Sequence, residues 1–259
     1  MNRPKRKLST RFTRKGALIE ETYAAFQHWD LSIPFKKNIE KTQEGNPIGA
    51  RNEKWLHEIL TTLSNRFGNN EVIAPLVLMA QRNLTLYKWK PCFLWHMGNI
   101  DALYYRFACE WLFPRFQEGA YMIRTEDALP FVRKITDGQI ASGGKLSEYG
   151  ALRAARDLLK MAGDFDLLEG KVKKKFASYH VPQEAFVYVL RGLLDMGYAT
   201  SQALASTDWR LFLMDADDVE RELLRLHQYK VLEYDVAGSM AQLTLSSPSL
   251  EAYAKEISR

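Results

Sequence analysis

The stretch that decides the fold is ADDVERELLRLHQ at positions 216–228, followed by KVLEYDV at 230–236, AGS at 237–239 and MAQLTL at 240–245. In the first segment Val219, Leu223, Leu224 and Leu226 recur near helical spacing with acids and arginines between them, which predicts an amphipathic helix. The next segments read as two short strands joined by a Gly-Ser turn. A helix followed by a hairpin is how a winged helix ends. Here, however, the helix in the recognition position carries Asp217, Asp218, Glu220 and Glu222, which a phosphate-lined groove would repel. Either the hairpin and a basic cluster around Lys171 make the contact, or this unit is structural. No other part of the chain offers a persuasive hairpin. The reading is therefore mainly α: a multi-helix bundle with one small C-terminal β-hairpin, more than half helix and under about 15% strand.

Working outward, 208–214 (DWRLFLM) is apolar enough to be buried, with Trp209, Phe212 and Leu213 as anchors. Pro182 suits the first turn of a helix over 183–196 striped by Phe186, Val189, Leu190, Leu193 and Leu194. Ser147 caps a helix over 148–161, closed by Ala162-Gly163. Ser247-Pro248-Ser249 precedes a last helix over 250–257. Toward the N-terminus, helices are expected from Gly16 to Trp29, after Pro34, over 53–67 and from Thr125 to just before Asp137, with 42–52 as loop. The segment 71–116 is dense in aromatics. Packing explains them better than stacking on nucleic acid, because they sit among Leu, Val and Met and not among Gly and Arg. Within it, Pro91 and Pro114 mark helix edges and Asn99 caps a helix running to Leu112. Ala141-Ser142-Gly143-Gly144 is the best place for a hinge. The chain then divides into a basic arm (1–16), an N-terminal helical domain (17–140) and a C-terminal helical domain with a winged-helix-like hairpin (145–259).

Charge is distributed unevenly. The whole chain carries 36 Lys+Arg against 31 Asp+Glu, net +5. Seven of the basic residues, Arg3, Lys5, Arg6, Lys7, Arg11, Arg14 and Lys15, lie in the first 16 positions without one acid, leaving about −2 on the remainder. A terminal basic arm suits phosphate contact, and the competing reading is a solvated tail. A second cluster combines Arg153, Arg156 and Lys160, spaced to share a helix face, with Lys171, Lys173, Lys174 and Lys175.

The residues that would carry chemistry do not assemble into a motif. His28, His57, His96, His180 and His227 are scattered without metal-ligand spacing, and Cys92 and Cys109 sit in apolar runs as expected of buried free thiols. There is no nucleophile elbow or dinucleotide fingerprint, and Gly143-Gly144-Lys145 lacks the spacing of a phosphate loop. The expectation is a non-catalytic protein needing no cofactor and no metal. With no apolar stretch long enough to span a bilayer and no apolar segment behind the basic start, a soluble cytoplasmic protein is expected.

The C-terminal half resembles the BrxA family of bacteriophage-exclusion (BREX) systems. The segments that carry the likeness are Lys175-Phe176-Ala177-Ser178-Tyr179-His180-Val181-Pro182-Gln183-Glu184-Ala185, then Trp209-Arg210-Leu211-Phe212-Leu213, then Asp218-Val219-Glu220 with Leu223 and Leu226. Tyr234-Asp235-Val236-Ala237-Gly238-Ser239 and Ser249-Leu250-Glu251 complete the order. The resemblance implies a helical protein similar in part to NusB-like bundles and helix-turn-helix modules. It implies a double-stranded DNA binder working beside a methyltransferase, an ATPase and other phage-defence components. A protein–protein adaptor and an RNA-binding NusB-like protein are the alternatives, and the family offers no catalytic residues.

Overall fold

The structure, a computed structural model, describes residues 8–10, 13–68, 70–137, 146–237 and 240–258. Well over half of these are helical, with two small antiparallel strand pairs. In chain order the helices are α1 (Ile19–Gln27), α2 (Phe35–Gly45), α3 (Glu53–Arg66), α4 (Asn70–Gln81), α5 (Leu86–Ile100), α6 (Ala102–Arg106), a π-helical turn (Phe107–Leu112), α7 (Phe113–Gln117), α8 (Thr125–Thr136) and α9 (Glu148–Asp164). Strands β1 (Leu168–Glu169) and β2 (Lys175–Phe176) precede α10 (Gln183–Asp195) and α11 (Thr200–Leu204). A 3-10 turn (Thr207–Phe212), α12 (Ala216–Gln228), strands β3 (Leu232–Ala237) and β4 (Met240–Leu245), and α13 (Leu250–Glu256) complete the chain.

Helix α5 is the axis of the molecule. Every residue from Pro91 to Ile100 is buried, and a helix apolar on all sides belongs at the centre of a bundle. It packs on α1, α4, α6, α10 and the 3-10 turn. Close approach to α10 requires Gly192, because any side chain there would collide with the Trp95 indole. Aromatics fill the surrounding core. Trp89 stacks on Phe93 at 4.9 Å, and Phe186 stacks on Trp209 at 4.6 Å. Packing is thus the role of most aromatics in 71–116, with Tyr87 and Phe116 left exposed. Both cysteines are buried free thiols.

Most buried polar side chains bond to main-chain groups, as Thr22, Thr42, Arg66 and Thr136 do, and two clusters bond side chain to side chain. Asp208, fully buried, accepts from Trp95 Nε1 and from the Tyr105 hydroxyl, both at 2.9 Å. His96 Nε2 lies 2.7 Å from the Tyr188 hydroxyl, and burial pulls its imidazole pKa down to about 3, so the ring is neutral. Helix α13 packs against α4 and α10, so apolar side chains from both sides of 138–145 share one core.

Several boundaries differ from expectation for local reasons. Helix α2 runs on to Gly45 because Thr42 is buried and its hydroxyl bonds back to the Asn38 carbonyl at 2.8 Å. Pro91 lies inside α5, not at its edge, and its burial in the core offsets one lost backbone hydrogen bond. The cap of the following helix is Asp101 and not Asn99. Its Oδ1 accepts from the Leu103 and Tyr104 amides at 2.9 and 3.1 Å. Leu224 is 46% exposed, one position too far round α12 to join Val219, Leu223 and Leu226. The expected hinge at 141–144 lies outside the described residues. The Ser147 cap, with Oγ accepting from Gly150 N at 3.1 Å, and the burial of Trp209, Phe212 and Leu213 are as the sequence indicates.

Candidate nucleic-acid interface

The base of the N-terminal arm is clamped between two helices. Arg66, at the end of α3 and buried, donates from Nη1 to the Ala17 carbonyl at 2.6 Å and from Nη2 to the Gly16 carbonyl at 2.5 Å. From the other side, Asp164 at the end of α9 accepts the Ala17 amide at 2.8 Å. Burial lowers the Arg66 pKa to about 10, which the charges of Asp101, Asp164 and Glu21 oppose, so the guanidinium stays protonated at neutral pH. Lys15 pairs with Glu58 at 2.5 Å and sits 5.4 Å above the Trp55 ring. Arg14 is exposed and forms no ion pair among the described residues.

This clamp sets the arm against α9. That helix shows the 4-3-4 spacing of one face: Tyr149, Arg153, Arg156 and Lys160, with Tyr149 70% exposed. Lys160 fills the space beside the Gly16 Cα. Asp157, half-buried on the same helix, shows what converges there. Desolvation raises its pKa, against the opposing charges of Arg153, Lys160, Arg14 and Arg156. Arg153 is 3.8 Å from Asp157 and Lys160 is 3.4 Å from Asp164, while Arg156 forms no ion pair among the described residues. In both pairs the carboxylate is the more enclosed partner and the cation faces solvent, so the cations stay accessible to a polyanion.

The run Lys171–Lys175 is a hairpin, which the sequence reading missed. Leu168 pairs with Phe176 and Glu169 with Lys175. Ile123 adds a third strand position, exchanging two backbone hydrogen bonds with Lys174 at 2.7 and 2.9 Å. Gly170 turns the chain at φ +99°, where a side chain would meet the Lys173 carbonyl. Lys174 folds inward, donating from Nζ to the Gly170 carbonyl at 3.1 Å, and desolvation lowers its pKa beside Lys160. Lys175 pairs with Glu169 at 2.8 Å. Lys171 and Lys173 stand exposed without ion pairs among the described residues.

Of the sequence-level candidates, the structure thus brings Arg14, Arg153, Arg156, Lys160 and Lys174 together and presents Lys171 and Lys173 on the adjoining hairpin. Arg3, Lys5, Arg6, Lys7 and Arg11 lie outside the described residues. Beside Lys15 a groove of about 570 Å³ opens, walled by Trp55 and Tyr87. Lys15 pairs there with Glu58 and Lys90 with Asp166 at 2.6 Å, so beyond Lys160, already part of the α9 face, the groove adds little charge. Sequence reasoning missed Arg66 and Asp164. Nothing in spacing marks a buried arginine 50 residues from the carbonyl it holds.

Two of the four acids of α12, Asp218 and Glu222, serve their own helix. Asp215 and Asp218 form a reciprocal cap, each accepting the other's amide, at 3.0 Å or less. Arg221 bonds Asp218, and Arg225 bonds Glu222 at 2.6 Å. The β3–β4 hairpin is tied to this helix through His227 Nδ1, which accepts the Tyr234 amide at 3.1 Å.

A helical bundle with one basic face, built from a clamped arm, a helix stripe and a short hairpin, is the class that fold and surface define. The BrxA family model matches residues 6–191, and the chain belongs to the BrxA family, making it a component of a bacteriophage-exclusion (BREX) defence system. The match covers the arm base, α9 and the β1–β2 hairpin. Of the segments that carried the resemblance, only 175–185 falls inside it. Comparison with curated proteins and with solved structures gives no match. Among the described residues no helix is long and apolar enough to cross a membrane.

Proposed function

We propose that this chain is a non-catalytic, double-stranded DNA-binding accessory protein of its BREX system, working beside the methyltransferase and ATPase components and contacting phosphates through its basic face. The observation that carries the reading is the convergence of Arg14 with Arg153, Arg156 and Lys160, two clusters 139 positions apart in the sequence that fold onto one surface. The α9 stripe lies on a rigid helix about 25 Å long. The cations Arg153, Arg156 and Lys160 occupy about 10 Å of it, a row that follows part of one phosphate backbone. The non-catalytic half of the reading is supported by the occupation of buried ionisable groups in packing: Asp208 with Trp95 and Tyr105, His96 with Tyr188.

The test is duplex binding across about 50–200 mM salt, with hairpin RNA as competitor. Arg153→Glu/Arg156→Glu should weaken binding to every duplex sequence and make the slope of log affinity against log salt shallower by roughly 2 units. Removing residues 2–12 should do likewise. The deletion stops there because Thr13 is fully buried and Lys15 pairs with Glu58. Unaltered affinity and slope in both variants would make the face merely solvated and leave the adaptor reading ahead. Preference for the RNA would favour the NusB-like alternative.

A further inference from the structure

The tip of the β1–β2 hairpin is built differently from the rest of the basic face. Val172 is 83% exposed, the most exposed large apolar side chain among the described residues, and it stands between the unpaired Lys171 and Lys173. Its support is rigid: the pairing of Leu168 with Phe176 and Glu169 with Lys175, the two backbone bonds to Ile123, and the Lys174 ammonium on the Gly170 carbonyl. Phe176 is wedged against Phe116, ring centroids 5.2 Å apart. A valine held out into water on a braced support gains nothing for the fold. From Gly170 to Phe176 there is no acid, and the preceding Glu169 is taken by Lys175.

Resting on the duplex-binding reading above, we infer that this tip enters the minor groove of DNA, Val172 seating between the sugar walls and Lys171 and Lys173 meeting the flanking phosphates. The dimensions agree. A two-stranded ribbon is broader than the minor groove, which is about 6 Å wide, so only the Val172 side chain at the tip enters while the strands and α9 stay on the backbone. The chemistry agrees as well. The groove walls are deoxyribose C–H surface, on which an aliphatic group loses water favourably, and the groove concentrates negative potential for the lysines. Lys174 ties the two elements together, since its Nζ lies 3.3 Å from where a side chain on Gly163 of α9 would begin.

The experiment measures binding of an A·T-rich duplex by fluorescence anisotropy, with the groove free or filled by the minor-groove ligand distamycin. Val172→Ala should lower affinity about fivefold at an unchanged salt slope, since it removes apolar contact and no charge. Lys171→Ala/Lys173→Ala should flatten the slope by about 1.8 units. Distamycin should bring the wild-type protein down to the affinity of Val172→Ala and leave that variant where it was. All three proteins should melt alike, because the changed side chains are exposed. If Val172→Ala binds the duplex as the wild type does, or distamycin weakens both equally, the inference is overturned. Duplex binding then stands and the tip belongs to a protein partner. If the wild-type protein binds no duplex at all, the DNA reading itself fails and this one with it.

Discussion

Asp101 shows how much one side chain can be asked to do. It caps α6 through Oδ1, while its Oδ2 is buried with no hydrogen-bond partner among the described residues. Desolvation raises its pKa to about 7, in spite of the two amides and Arg66 pulling the other way. A carboxyl with a raised folded pKa binds its proton more tightly folded than unfolded, so its burial weakens the fold as pH climbs from about 4 to about 7. The penalty is on the order of 4 kcal/mol at most above that window. Asparagine keeps the cap and removes the ionisation. The melting temperature of Asp101→Asn relative to wild type should therefore rise between pH 5 and pH 8, and a difference independent of pH would refute this. Trp209 and Phe212 act through volume instead. Truncating either to alanine should cost about 3 to 5 kcal/mol, read as a clear fall in the thermal midpoint. An unchanged midpoint with lost DNA binding would make Trp209 a contact residue. Their burial was legible because DWRLFLM is apolar whichever helix type it forms. The raised proton affinity of Asp101 was not, since only the folded core removes its water.

At the scale of elements, sequence periodicity reads well wherever a helix has one dry face. The Ser147 cap, the start after Pro182 and the β3–β4 hairpin all appear where turn and capping residues place them. It fails for β1–β2, whose paired strands are two residues each and fall below any alternation signal. It also misjudges α5, because a helix buried on every side has no periodic polar face to count, so prolines and asparagines inside it look like ends. The charge pattern was legible as composition and not as geometry. Spacing along α9 gave Arg153, Arg156 and Lys160 a common face, while their meeting with Arg14 depends on Arg66 and Asp164 gripping Gly16 and Ala17.

For the whole molecule, the shared core is decisive. Helix α13 lies on α4, α10 on α5, and the Arg82 guanidinium reaches the Lys255 carbonyl at 2.6 Å. Asp195 Oδ2 accepts the Leu250 amide at 2.6 Å, tying the last helix to α10 as well. Residues before and after 138–145 should therefore unfold in one calorimetric transition. Fragments 1–137 and 146–259 made separately should lack cooperative melts, and made together should regain one. Two separable transitions in the intact chain would show that the halves are independent. No feature of the sequence announces that α13 covers α4, because each helix taken alone displays only an apolar stripe and not its mate.

That last contact has a consequence for how the protein is made. At ribosomal rates of about 5–20 residues per second, roughly 10 to 30 s separate the synthesis of α4 from that of α13. Throughout that interval the nascent chain carries an apolar strip on α4 whose covering helix has not yet been translated. Translation of α13, rather than completion of the N-terminal helices, is then what lets the molecule close, and chains stalled before codon 250 are left as substrates for chaperones and proteases.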